Sequence, residues 1–370
     1  MVIKFLKQNI VAVIAILAAV VTSLIVPPDK EYLNYFDLKT LSCLFMTLAV
    51  ICALKNLSFF QITARKLICL FKNTRSVVIA IVYITFIGSM IIANDMALIT
   101  FLPLGFYVLD TTGNKDKMAF VFIMQTIAAN LGGMLTPFGN PQNLYMYSYF
   151  NIPTAEFVSV MLLPFVISMV FITTCCMTIK KKPLAIENDF KIVYSPKRKI
   201  LTAVYIILFA LAISVVFRIV PYYIGLVIIL VALLILDYRA ILSVDYALLL
   251  TFCAFFVFSG NMARIDVINS FMSKVVNLDV LVTGTLSCQF ISNVPSAILL
   301  SKFTQNYQEL LVAVNIGGAG TLVASLASLI TFREYTHHQP NQAGKYILKY
   351  SLYNFSILIL LLIIMKIKFM

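Results

Sequence analysis

"IIANDMALITFLPL" (residues 91–104) sets Asn94 and Asp95 in the middle of an otherwise oily run. The apolar stretch around this pair extends from about residue 76 to residue 110. As one straight helix it would be roughly 50 Å long at about 1.5 Å per residue, well beyond a hydrocarbon layer of about 30 Å. A helix pair that enters the layer, turns at the polar centre and leaves on the same side fits instead. The length therefore predicts a re-entrant hairpin over 76–110 with Asn94 and Asp95 at its tip.

The rest of the chain has the composition such a hairpin needs. Of 370 residues, 61% are hydrophobic and 12% charged, with a mean hydropathy of +0.98; soluble domains are roughly 45–50% apolar. Runs such as "IVAVIAILAAVVTSLIV" (10–26) and "YSLYNFSILILLLIIM" (350–365) are continuous rather than alternating. They therefore read as helices and not as strands of a barrel. An all-α polytopic membrane protein follows, with spanning helices at about 8–26, 37–55, 155–179, 201–219, 221–237, 243–260 and 345–366. Two further segments, 117–150 and 308–332, are interrupted by "GGMLTPFGNPQN" and "GGAGTLVASLAS" and read as broken helices. A second hairpin is expected over 279–304, with "SNVPS" at its centre. The count is about nine crossings, two of them broken, and two re-entrant hairpins.

Charge fixes an expected orientation. With the N-terminus inside, 20 of the 28 Lys and Arg residues fall in cytoplasmic segments, as the positive-inside rule requires. Topology thus accounts for the net charge of +13, and no single basic domain is left to suggest a nucleic-acid partner. Lys4 and Lys7 precede an apolar run that ends in Pro27-Pro28 without a cleavage site, so it is expected to be a first spanning helix in the cytoplasmic membrane. The polar stretch 180–200 reads as a cytoplasmic linker between two halves, 1–179 and 201–370. Segments 59–71 and 262–275 mix basic and large apolar side chains and read as interfacial amphipathic helices. Seven scattered cysteines read as small hydrophobes. His337 and His338, adjacent in what reads as a polar loop, offer no ligand spacing. Arg218, Arg264 and Lys274 stand at expected helix ends, where snorkelling anchors are the default.

The two halves repeat each other. "AANLGGMLTPFGN" (128–140) matches "AVNIGGAGTLVAS" (313–325) at a constant offset of 185, pairing Asn130 with Asn315, Gly132-Gly133 with Gly317-Gly318, and Thr136 with Thr321. "IAND" (92–95) matches "ISNV" (291–294), and "LKN" (54–56) lies opposite "SGN" (259–261). Five crossings separate helix 37–55 from helix 243–260, so the second copy runs in the opposite direction. Hairpins entering from opposite faces would then meet both breaks near the midplane. A tip exposes carbonyls of one half-helix and amides of the next, equivalent to about half a charge of each sign. Cations can be held by carbonyl, Asn, Ser and Thr oxygens and an anion by the amides, the layout of secondary transporters with interrupted helices.

The paired tips and paired "N-x-G-G-x-x-T" breaks resemble the ion transporter superfamily, specifically the citrate transporter-like group of divalent-anion/sodium symporters and arsenite permeases. The resemblance implies cation-coupled anion transport, an elevator movement and a homodimer. It also departs from the dicarboxylate branch, whose tips read Ser-Asn-Thr. Here they read Ala93-Asn94-Asp95 and Ser292-Asn293-Val294, and the "AND" tip is closer to the arsenite permease branch.

The expected substrate and ion site comprises Asn94, Asp95, Thr136, Asn140, Asn143, Ser292, Asn293, Ser296, Thr321 and Ser325, with Ser328 opposite Asn143. Backbone breaks at Gly132, Gly133, Pro137, Gly317 and Gly318 complete it, and sodium is placed at Asn94, Asp95 and Asn293. Asp95 is open to three readings: bonded to the hairpin's own amides, a sodium ligand, or a proton carrier. Asn94 and Asn293 read as half-helix caps or ion ligands; Gln125 and Gln289 read as interhelical hydrogen bonds. The function expected is secondary active transport of a small anion coupled to sodium or protons. Sodium/proton antiport and arsenite-type anion efflux are the alternatives. An enzyme would need a catalytic partner for Asp95, and the sequence offers none. No nucleotide-binding stretch is present either, so the only cofactor expected is the coupling ion, with an ion gradient or a partner ATPase as the energy source.

Overall fold

The structure, a computed structural model, describes residues 10–183 and 196–370. The expectations for 1–9 and for most of the 180–200 linker lie outside the described residues. Eighteen α-helices follow in order: α1 (Ile10–Ile25), α2 (Leu38–Asn56), α3 (Phe59–Ile68), α4 (Thr74–Ile92), α5 (Asn94–Thr111), α6 (Met118–Gly132), α7 (Pro141–Tyr149), α8 (Thr154–Met177), α9 (Pro196–Val216), α10 (Tyr222–Leu236), α11 (Tyr238–Leu242), α12 (Tyr246–Arg264), α13 (Asp266–Leu278), α14 (Val280–Ile291), α15 (Asn293–Leu300), α16 (Tyr307–Ile316), α17 (Leu326–His338) and α18 (Ala343–Phe369). Among the described residues the sole β pairing is one bridge between Asn73 and Pro183. Among the described residues seven helical segments are long and apolar enough to cross a membrane: Leu38–Asn56, Thr74–Ile92, Lys115–Leu135, Thr154–Met177, Lys197–Val216, Tyr246–Arg264 and Pro340–Phe369. The protein is a multi-pass, all-α membrane protein.

Side-chain caps start corresponding helices in the two halves. Asp37 accepts from Thr40 N and Asp245 from Leu248 N, opening α2 and α12, each 19 residues long. Asn73 accepts from Ser76 N and Asp279 from Val282 N, opening α4 and α14. Each cap satisfies an amide that the first helical turn leaves without a partner.

Both hairpins reverse the chain. A Cβ on Gly88 would lie 2.5 Å from the Phe101 ring, although a straight helix would separate the two residues by roughly 20 Å. In the second hairpin the Ser287 and Ser296 hydroxyls meet at 2.9 Å across the turn. The α4–α5 hairpin packs against α6 and α17, and the α14–α15 hairpin packs against α16 and α7. Each hairpin therefore holds the first half of its own broken helix and the second half of the other one. Outside this interlocked pair, α1 packs along α12, while α9 and α10 pack on α2. Ile235, 78% exposed on α10, marks the kind of apolar surface that lipid covers.

Several local expectations are corrected. His337 and His338 end α17 rather than sitting in a loop, and the His338 ring stacks on Phe106 at 3.6 Å. Arg264 pairs with Asp29 at 2.6 Å and Glu31 at 3.4 Å, so it ties α12 to the segment after α1 instead of snorkelling alone. Arg218 donates to the Tyr147 carbonyl at 2.6 Å and lies over the Tyr147 ring, clamping the C-terminal end of α7. That placement sets a cation where the helix dipole is negative.

Candidate functional site

Each hairpin turns on one non-glycine residue with positive φ: Ala93 (φ 63, ψ 152) and Ser292 (φ 77, ψ 159). Such a conformation costs about 1–3 kcal/mol and persists only where its surroundings fix it. The surroundings match in the two copies. Asn94 Oδ1 accepts from Asp95 N and Asn293 Oδ1 from Val294 N, both at 2.9 Å. The positive-φ carbonyls accept from Ala97 N at 2.9 Å and Ser296 N at 3.1 Å, starting α5 and α15. A threonine from each break then braces the incoming arm. Thr136 Oγ1 donates to the Met90 carbonyl at 2.8 Å, and Thr321 Oγ1 to the Gln289 carbonyl at 3.0 Å, each acceptor three residues before its tip.

The breaks themselves are built by residues that end helices. Gly132 closes α6, and a Cβ there would meet the Phe86 carbonyl at 2.3 Å, so glycine permits the close approach of α4. A 3-10 turn over Gly133–Leu135 and a turn through Pro137 lead to Asn140, with Pro141 at the first position of α7, where its missing N–H costs nothing. In the second copy α16 ends at Gly317-Gly318. Gly320 has φ +114, and a Cβ there would lie 2.1 Å from Gln289 Oε1. Gln289 fills that space, donating to the carbonyls of Gly317 (2.9 Å) and Ala319 (3.1 Å) and accepting from Thr321 N (2.8 Å). Carbonyls freed by the break are thereby satisfied without water.

The two breaks run past each other in opposite directions and are stitched by reciprocal hydrogen bonds. Asn130 Oδ1 accepts from Ser325 Oγ at 2.8 Å, while Asn315 Oδ1 accepts from Asn140 Nδ2 at 3.4 Å. Asn130 Nδ2 donates to Ser328 Oγ at 3.4 Å, and Asn315 Nδ2 donates to Asn143 Oδ1 at 2.6 Å. These are two pairs of bonds that exchange under the offset of 185. Asn130 also reaches the first tip, and Gly318 lies between it and the second. Asn130 accepts from Asn94 Nδ2 at 3.2 Å and donates to the Gly318 carbonyl at 3.1 Å, and a Cβ on Gly318 would touch both Asn293 Nδ2 (3.2 Å) and Asn130 Cβ (3.9 Å).

The structure thus brings together Asn94, Asn293, Asn140, Asn143, Ser325 and Ser328, with the two glycine pairs at the crossing. It separates the rest by role. Thr136 and Thr321 spend their hydroxyl protons on the tips. Ser292 donates to the Ala324 carbonyl at 3.2 Å, and Ser296 bonds inside its own hairpin. Asn143 Nδ2 is taken up by the carbonyls of Gly133, Met134 and Thr136. Gln125 bridges the arms of the first hairpin through Thr85 and the Phe101 carbonyl. Four members of the cluster were not singled out from the sequence: Asn130 and Asn315, which the repeat had already aligned, Gln142, and Tyr350, whose hydroxyl donates to Ser328 Oγ at 2.7 Å.

Three buried oxygens of the first tip and first break have no hydrogen-bond partner, Asp95 Oδ1 at the tip and Asn140 Oδ1 and Gln142 Oε1 at the break. A buried acceptor left unpaired costs about 1–3 kcal/mol, so these atoms suit a cation or an O–H donor. Among the described residues no three His, Cys, Asp or Glu side chains gather as a metal cluster would need. The polar side chains that bond at the crossing are amides and hydroxyls, and the acid Asp95 follows Asn94 in the chain.

Comparison with known proteins agrees with this architecture. A family profile described as citrate transporter matches residues 1–325. An uncharacterized transporter of Methanocaldococcus jannaschii is 34% identical over 305 residues, 82% of each chain. The inner membrane protein YbiR of Escherichia coli is 28% identical over 280 residues, 74% of each chain. A silicon efflux transporter of Oryza sativa subsp. japonica is 30% identical over 121 residues, 32% of this chain and 24% of its own length.

Proposed function

Because this chain belongs to the citrate transporter family, we propose that it is a secondary active transporter of a small anion, with the crossing of the two broken helices as its substrate and ion site. The observation that carries this reading is that Asn130 of the first break bonds the first tip at Asn94 and the second break at Gly318 and Ser325, with Asn293 of the second tip beside Gly318. Tip and break expose opposite backbone dipole ends at one point, which suits a cation and an anion bound side by side. Asp95, Asn140 and Gln142 supply the unpaired oxygens for the coupling ion, sodium or a proton. An anion beside a charged Asp95 would be repelled, so a cation or proton on Asp95 is the step that couples the two.

The chemistry of the crossing narrows the substrate. With amides, hydroxyls and helix ends but no basic side chain in the bond network, it suits a monoanion better than a tricarboxylate, whose charges would need cationic partners. Export of a weak oxyacid is the second reading. The "AND" tip and the likeness to a silicon efflux transporter favour it, and the free acceptors on Asn140 and Gln142 match O–H donors. Alternation of access is assigned to the two hairpin and half-helix groups moving as a body against α1, α2, α9, α10 and α12, in the cytoplasmic membrane with the N-terminus inside.

A thermal-stability screen of the purified protein against monocarboxylates and weak oxyacids, with and without sodium and at two pH values, tests the reading. A ligand at 100 times its Kd stabilises by about 2.7 kcal/mol. Stabilisation by one anion class that requires sodium or low pH, and that is lost in Asn94→Ala, is expected. Stabilisation that is independent of both ions, or intact in Asn94→Ala, overturns it.

A further inference from the structure

Two serines meet Asn130 at the crossing, and they differ in one respect. Ser325 Oγ donates to Asn130 Oδ1 at 2.8 Å and accepts from Ala327 N at 3.2 Å, so its proton is committed. Ser328 Oγ accepts twice, from Asn130 Nδ2 at 3.4 Å and from the Tyr350 hydroxyl at 2.7 Å. A hydroxyl carries one donor and two acceptor lone pairs. Both lone pairs of Ser328 are therefore filled, and the group can act further only as a donor. Ser328 is fully buried, yet among the described residues its proton has no acceptor. Buried O–H groups are seldom left so, since the unmade bond costs the full desolvation of the group.

The mirrored position lacks this free donor. Asn143, the counterpart of Ser328, gives its amide nitrogen to the carbonyls of Gly133, Met134 and Thr136 and accepts from Asn315 at its oxygen. In the second break the freed carbonyls of Gly317 and Ala319 are bonded by Gln289 of the hairpin arm instead. Ser328 is thereby released from that task. Its orientation is set from α18. Tyr350 is fully buried, and its ring stacks on Tyr346 with centroids 6.0 Å apart; Tyr346 in turn stacks on Tyr335 of α17 at 4.3 Å. Helix α18 also packs along α6, which carries Asn130. The phenol is thus fixed relative to both helices that meet at Ser328. Ser328 itself stands in the first turn of α17, capped by Ser325, where the amide end of a helix favours a negative group.

We propose that the Ser328 hydroxyl, its lone pairs held by Tyr350 and Asn130, donates to one oxygen of the transported anion, and that Tyr350 is a positioning residue of that seat. The proposal rests on the crossing being where the anion sits. The substrate class it fits is a small carboxylate or oxyacid monoanion with an oxygen free to accept from Ser328. Tyr350 acts through Ser328 and need not touch the anion.

Formate, the smallest carboxylate monoanion, is the probe. Its Kd is read from the rise in melting temperature of the purified full-length protein with sodium formate, against sodium chloride at the same concentration and pH. Each variant is referred to its own ligand-free value, so a loss of intrinsic stability does not enter. Ser328→Ala should weaken formate at least about tenfold, the loss expected for a hydrogen bond to a charged group. Tyr350→Phe, which keeps the ring stack, should weaken it severalfold and add nothing in the Ser328→Ala background. Ser328→Thr, which restores a hydroxyl, should recover part of the loss. Tyr346→Phe is the control, since that hydroxyl has no hydrogen-bond partner, and it should leave formate affinity unchanged. No stabilisation of the unaltered protein by formate overturns the proposal. Unchanged affinity in Ser328→Ala does the same and gives the proton to a buried water. A further loss in the double variant, or an equal loss in Tyr346→Phe and Tyr350→Phe, overturns the role of Tyr350. Formate binding lost in Asn94→Ala but kept in Ser328→Ala leaves the transport reading standing and removes only this one; binding kept in Asn94→Ala removes the transport reading itself.

Discussion

Replacing Asn130 by alanine removes the side chain that joins the first tip to the two breaks. Its amide makes four hydrogen bonds, to Asn94, Ser325, Ser328 and the Gly318 carbonyl. Hydrogen bonds between helices in membranes average about 0.6 kcal/mol each, so the loss is roughly 2.4 kcal/mol, or about 60-fold in the folded-to-unfolded ratio. The mirrored substitution, Asn315→Ala, also removes four bonds, to Asn140, Gln142, Asn143 and the Leu311 carbonyl, and should cost about as much. Asn354 is the internal control. It is equally buried, but its Nδ2 makes one bond within its own helix, to the Tyr350 carbonyl, so Asn354→Ala should cost about a quarter as much. Unfolding in mixed micelles by increasing SDS, followed by circular dichroism, measures all three. If Asn130→Ala falls within about 0.5 kcal/mol of Asn354→Ala, the crossing is not the structural hub described here.

Further outcomes follow from the same geometry. Thr136→Val and Thr321→Val each remove one brace from a tip and should slow substrate uptake to a similar degree, measured as initial rates in proteoliposomes, because the two bonds are equivalent. Gly133→Ala places a Cβ 2.4 Å from Asn140 Oδ1 and 2.9 Å from the Gly139 carbonyl; transport should be lost while the protein still inserts, as judged by membrane yield and size-exclusion profile. Asp95→Asn should remove the sodium or pH dependence of ligand stabilisation, and unchanged dependence would exclude Asp95 from coupling. The hydrogen bond from Arg264 holds the Asp29 carboxyl below its ordinary value of 3.8. That ion pair therefore contributes fully above the ordinary value and is lost as pH falls through the lowered one, so Arg264→Gln should flatten the acid limb of the stability profile below about pH 4.

Much of this fold is legible from residue order, for reasons that can be stated. A polar pair in an apolar run too long for one crossing requires a reversal, and Ala93 and Ser292 are where the chain reverses. Gly-Gly followed by Pro or a further Gly stops a helix, and α6 and α16 end at those pairs. Less legible is which face a residue takes after a break, because the rotational phase is reset there. Gln142 and Asn143 are neighbours on α7 and both reach Asn315, yet the Asn143 amide nitrogen is spent on carbonyls of the break while that of Gln142 goes to Asn315 Oδ1. Asn130 and Asn315 sit inside helical runs, where asparagine reads as packing, and their partners in the other break are more than 170 residues away. Ser296 turns inward because its partner, Ser287, is set by hairpin register, which the sequence does not encode locally. A charged run does not stop a helix. Helix α9 starts at Pro196 and carries Lys197, Arg198 and Lys199, good helix formers that extend it beyond the apolar run.

Reconstituted into liposomes with the anion identified by the stability screen, the protein should accumulate that anion above its external concentration only while a sodium or pH gradient is imposed. Accumulation should collapse when an ionophore dissipates the gradient. Flux that only equilibrates the anion, or that ignores both gradients, would contradict coupled transport through the crossing.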